Sequence, residues 1–137
     1  MGSLARALVG LACLVAAGCG GGVGDPVPTH VPPYNLEITF WPEGKAGPNR
    51  MATLTCDPDG GTHPDPTTAC AALNARPEAL RPVPGDVACT EIYGGDQVAL
   101  VEGAGPNGTG VRAILNRTNG CEIARWDALA PVVELPS

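Results

Sequence analysis

Six cysteines stand at positions 13, 19, 56, 70, 89 and 121, and they restrict what this chain can fold into more than any other feature. Around them lie 19 glycines and 15 prolines but only two tryptophans, two tyrosines and one phenylalanine. Such a chain is rich in turns and builds no large aromatic core. At 137 residues it has room for one domain. A domain this small, with so little apolar bulk, needs covalent staples. Cys56, Cys70, Cys89 and Cys121 fall where the staples are needed, whereas Cys13 and Cys19 fall in what reads as a leader.

Residues 1–18, MGSLARALVGLACLVAAG, carry one arginine and then an uncharged apolar run from 7 to 17. That run is too short to span a bilayer and suits the core of a signal peptide. It ends in VAAGC, small residues before Cys19, a pattern resembling the bacterial lipobox. Ordinary secretory cleavage near the same small residues is the alternative. Cysteine arithmetic favours the lipid. Removing the leader deletes Cys13 and leaves five cysteines, and an exported protein with an odd cysteine needs a use for it. Lipidation of Cys19 supplies that use. Residues 19–33 then read as a Gly/Pro-rich tether that holds a domain, residues 34–137, off the outer face of a cell membrane.

Within the domain, residues 36–40 alternate apolar and polar side chains, as do residues 51–56, and each predicts a half-buried strand. DPDGGTHPDP, 57–66, is a cluster of turn residues. Asp65 or Thr67 can cap a helix through TTACAALNA, with Pro66 in its first turn. Three prolines make 77–84 irregular. DQVALVEGA and TGVRAILNRT predict two more strands, joined in a hairpin by GPNG at 105–108. Ile123, Trp126 and Leu129 lie at helical spacing in CEIARWDAL, and PVVEL, 131–135, predicts a last short strand. The expected class is α+β, an antiparallel sheet of about five strands with two helices on one face.

The residues exclude several functions. The formal charge of −6 comes with eight cations, one of them a lysine, so no basic stripe exists to neutralise phosphates and no nucleic-acid partner is expected. DPDG opens like a calcium loop but lacks the third acid and the distant glutamate. His30 and His63 have no partners at zinc spacing, so no metal is expected. The serines are Ser3 and Ser137, at the two ends, which removes a serine triad. A cysteine nucleophile needs a free thiol, and thiols pair in an oxidising compartment. An enzyme is not expected. Asn107 and Asn116 each sit in an Asn-x-Thr acceptor pattern but read equally well as turn residues. ACTEIYGG, 88–95, remains: an acid, Glu91, directly before Ile92 and Tyr93 and two residues after Cys89. By composition alone it is an acidic surface loop.

The text of the chain says more. TLTCDPDGGTHPDPTTACAAL, 53–73, resembles the Streptomyces subtilisin inhibitor family in its cysteine spacing, its Gly-Thr-His-Pro turn and its Ala-Cys-x-x-Leu helix. CTEIYGG and TNGCEIAR fall where that family has its reactive loop and last cysteine. The resemblance covers roughly 36–130 and implies a subtilisin-inhibitor-like fold. It implies disulfides Cys56–Cys70 and Cys89–Cys121, two-fold dimers through the sheet and no cofactor. It implies a serine protease inhibitor whose scissile bond is Glu91–Ile92. Ala88, Cys89 and Thr90 would meet the unprimed side of the protease and Tyr93 the primed side, with Asn119 supporting the loop from behind. Partners implied are secreted serine proteases of subtilisin-like, trypsin-like or glutamate-specific type. Glu91 stands where the family presents Met or Lys, which points to a protease with a cationic pocket. A non-inhibitory envelope lipoprotein on the same scaffold is the competing reading.

Overall fold

The computed structural model describes residues 33–137. The expected leader, Cys19 and the expected tether up to residue 32 lie outside them. Two long strands, β1 (Tyr34–Trp41) and β2 (Arg50–Cys56), are followed by a two-residue strand β3 (Gly60–Gly61) and by helix α1 (Pro66–Ala75). A short 3-10 turn at Pro77–Leu80 and an irregular stretch lead to β4 (Val98–Ala104), β5 (Gly110–Leu115) and helix α2 (Gly120–Val133). The five strands form one sheet in the order β3-β2-β1-β4-β5, all neighbours antiparallel.

Alternation decides which face is covered. Tyr34, Leu36, Ile38 and Phe40 all point inward and are buried. Register aligns Ile38 with Ala52 on one side and Val101 on the other, and Val101 with Ala113, so one row of small and branched residues crosses four strands. Both helices pack on this face. Ala69, Cys70 and Leu73 come from α1, and Trp126, Leu129, Val132 and Val133 from α2. The Trp126 ring lies 6.0 Å from that of Phe40, and its indole N–H donates to Glu134 Oε1 at 2.8 Å. Among the described residues nothing packs on the opposite face: Met51, Thr39, Leu100 and Ile114 are aligned across it, with Met51 and Ile114 exposed.

Caps fix where the helices begin. Asp65 Oδ1 accepts from Thr68 N at 3.1 Å, and Pro66 occupies the first turn of α1, where its missing N–H leaves nothing unpaired. Asn119 does the same for α2, accepting from Glu122 N at 2.9 Å.

The strand expected at 131–135 does not form. Pro131, Val132 and Val133 complete α2 instead. A strand would turn adjacent side chains to opposite faces. Here Val132 and Val133 are both fully buried, because they continue the helical stripe of Trp126 and Leu129. Pro131 is tolerated in the final turn, where only one helical hydrogen bond is forgone. The fifth strand is β3, read in sequence as part of a turn. Gly60–Gly61 pairs with Leu54 and Thr55, and the pairing is prolonged by Thr53 N to Thr62 Oγ1 (2.9 Å) and Thr62 N to Thr53 Oγ1 (3.0 Å).

His63 closes this end of the core. It is buried, accepts from Asp65 N at Nδ1 (3.1 Å), and so carries its proton on Nε2, which donates to Val132 O at 3.1 Å. One imidazole joins the start of α1 to the end of α2.

Candidate functional site: an exposed loop pinned to the start of the second helix

Residues 88–95 form no helix or strand, yet they are held at three points. The first is covalent: Cys89 is bonded to Cys121, the second residue of α2. A second disulfide, Cys56–Cys70, ties β2 to α1 inside the core. The other two points are main-chain hydrogen bonds. Gly120 N–H donates to Thr90 O at 2.8 Å, and Gly94 N–H donates to Arg117 O at 2.7 Å. Every anchor lies in the short segment 117–121, which the Asn119 cap holds in place at the helix start.

Between the anchors, Glu91, Ile92 and Tyr93 project into solvent. Ile92 is 59% and Tyr93 62% exposed, and they are adjacent members of a set of only five exposed large hydrophobic residues among the described positions. Two neighbouring apolar side chains left in water on a pinned loop make this edge the candidate contact surface. Ala88 and Thr90 are also exposed, and Cys89 is half-buried. The Tyr93 hydroxyl donates to Asp96, and that hydrogen bond, with a smaller contribution from the Asp96 charge, pushes the phenol above its ordinary range.

Ala88, Cys89, Thr90, Glu91, Ile92 and Tyr93 therefore lie together beside Asn119 and Cys121, whereas Cys56 and Cys70 lie in the core and Cys19 is outside the described residues. The side-chain oxygen of Asn119, the residue expected to support the loop, caps α2 instead, and the contact with the loop comes from the next residue, Gly120. Sequence reasoning missed Gly94, Arg117, Gly120 and Ile123. Ile123 packs beneath Gly94, with Cγ1 and Cδ1 each 3.0 Å from where a Gly94 Cβ would sit. The available signal was an Asn-Gly pair directly before the cysteine that pairs with Cys89. A cluster of metal-ligating side chains, Cys56, Asp59 and Cys70, has both sulfurs committed to the disulfide.

The subtilisin inhibitor-like family is matched over residues 35–111, more than half of the chain and including the exposed loop. The chain belongs to that family. Subtilisin inhibitor-like protein 5 of Streptomyces fradiae is 49% identical to it over 51 residues, which cover 35% of this chain and 48% of the relative. The chain thus spans about half the length of that subtilisin inhibitor-like relative. Among solved structures, Streptomyces caespitosus sermetstatin, crystallised in complex with Bacillus licheniformis subtilisin, is 27% identical. That likeness has a TM-score of 0.44 and covers 72% of this chain and 94% of sermetstatin.

Proposed function

We propose that this protein inhibits a serine protease by offering residues 88–93 as a substrate that is bound but released uncut, with Glu91–Ile92 as the scissile bond. The observation that carries the reading is the exposed triplet Glu91, Ile92, Tyr93 fastened on both sides to segment 117–121. A protease binds extended backbone and takes one side chain into its specificity pocket. Ordering a free backbone costs roughly 1–2 kcal/mol per residue, and a loop ordered in advance avoids much of that on binding. The anchors act again after cleavage. Cys89 and Gly94 keep both new termini close, so the Ile92 amine attacks the acyl-enzyme and the bond re-forms.

Glu91 sets the target. A carboxylate in an apolar pocket loses its hydration without a partner, and the acidic pocket of a trypsin-like enzyme repels it. A glutamate-specific protease presents the matching positive charge. The chain itself is a binding protein and no enzyme in this reading. It is exported and carried on the outer membrane face by a lipid on Cys19, and its uncovered sheet face, with Met51 and Ile114 exposed, pairs with a second copy.

The test is inhibition of subtilisin, trypsin and a glutamyl endopeptidase by the disulfide-bonded protein, with mass spectrometry of the complex. Tight inhibition with slow, partial cleavage after Glu91 is expected. Rapid and complete digestion at that bond, or no inhibition, refutes the proposal and favours a non-inhibitory envelope lipoprotein.

A further inference from the structure

The two main-chain hydrogen bonds are placed with respect to the proposed scissile bond. Thr90 O lies one residue before Glu91, and Gly94 N lies two residues after Ile92. The three side chains between them make no contribution to the clamp. Both donors are glycine amides, and in both cases the glycine has a steric reason. A Cβ on Gly120 would overlap Thr90 Oγ1, while it would sit at ordinary distances from Thr90 Cβ (3.4 Å) and Thr90 O (3.6 Å). A Cβ on Gly94 would stand 3.0 Å from Ile123 Cγ1 and Cδ1 and 3.1 Å from Arg117 Cβ, tighter than most such contacts, so those side chains would have to give way. The absent side chains let the loop approach the helix start closely enough for both bonds to form.

We infer that Gly120 and Gly94 are the positioning residues of the loop: their amide hydrogen bonds hold the backbone on either side of Glu91–Ile92, and Thr90 is matched to Gly120 in size. The inference rests on the inhibitory reading above. It assigns the rigidity of the loop to two specific contacts in addition to the disulfide. Thr90 is β-branched, so two of its three rotamers place a heavy atom in the slot that a Cβ at position 120 needs. Gly120→Ala therefore either confines Thr90 to the one rotamer that clears the slot or moves the loop from the helix and lengthens the Thr90 O bond. Thr90→Ala empties the slot.

The test is a four-member cycle on the full chain: wild type, Gly120→Ala, Thr90→Ala and the double variant. Each is measured for its inhibition constant, for the rate of cleavage at Glu91–Ile92, and for melting temperature. Losing one well-placed hydrogen bond on an exposed loop weakens inhibition by roughly two- to tenfold. Gly120→Ala should show that loss with faster cleavage and an intact cooperative melt, and the double variant should match Thr90→Ala. Gly94→Ala, with rescue by Ile123→Ala, repeats the cycle on the other side if Gly120→Ala fails to fold. A Gly120→Ala protein as potent and as slowly cut as wild type overturns the positioning role alone. So does a double variant no better than Gly120→Ala, which would remove the size match. A wild type that inhibits none of the proteases sinks the inhibitory reading, and this role with it.

Discussion

Deleting each disulfide in turn separates chain entropy from packing, because the two bonds differ in both. Cys56 and Cys70 are separated by 14 positions and are almost fully buried; Cys89 and Cys121 are separated by 32 and are half-buried. In the loop-closure account, the shorter cross-link restricts the unfolded chain by about 3.0 kcal/mol and the longer by about 3.7 kcal/mol. Entropy alone therefore makes the loss of Cys89–Cys121 the more damaging. Packing reverses the order. Replacing Cys56 and Cys70 by alanine removes two sulfur atoms from the core, and each leaves lost transfer energy plus a small cavity, together about 2 kcal/mol. The half-buried pair forfeits little of this kind. Cys56→Ala/Cys70→Ala should lose about 5 kcal/mol and Cys89→Ala/Cys121→Ala about 4 kcal/mol, a difference that urea unfolding resolves when slopes are fitted separately for each variant. Separate slopes matter because each variant has a more expanded unfolded state. If Cys89→Ala/Cys121→Ala is the less stable of the two, the sulfurs in the core contribute less than the difference of about 0.7 kcal/mol in loop closure and the packing argument fails.

Four further outcomes are expected. His63→Ala leaves the Val132 carbonyl and the Asp65 amide without their buried partner and should cost about 2–4 kcal/mol in thermal unfolding. The side chain and then the backbone of Thr68 hold the Asp65 carboxyl below its ordinary 3.8, so its contribution to stability is complete above that value and is lost as pH falls through the lower folded value. Asp65→Asn keeps a capping oxygen and should remove that part of the acid dependence in melts followed between about pH 2 and pH 6. Glu91→Lys replaces repulsion by attraction in an acidic pocket and should strengthen trypsin inhibition by at least about a hundredfold; unchanged inhibition would show that Glu91 is not the bait. Cys19→Ala should release the protein into the culture medium, and unchanged membrane fractionation would exclude the lipid anchor.

The strands show what local pattern can determine. In β1 the two-residue alternation from Tyr34 to Phe40 specifies both the strand and its buried face, because a one-residue slip would turn every apolar side chain outward. The cap at Asp65 and the helical spacing of Trp126 and Leu129 were legible for the same reason: each depends on neighbours within a turn or two of chain. The PVVEL segment was misread because a short apolar run has no period of its own. Its conformation follows from the core stripe of the helix before it. β3 was missed because two glycines carry no pattern, and their pairing depends on threonines nine residues apart.

The site divides along the same line. Motif text located the exposed loop at 88–95 and the cysteine that anchors it. The sequence by itself determined which side chains the protein can expose there. What makes the loop rigid was decided only in three dimensions. Thr90 meets Gly120 and Gly94 meets Arg117 across 30 and 23 positions of chain, through backbone groups that every residue except proline possesses. No side-chain pattern encodes such a contact. It exists because the sheet, the disulfide and the start of α2 bring the two segments within reach, and because neither glycine has a side chain to keep them apart.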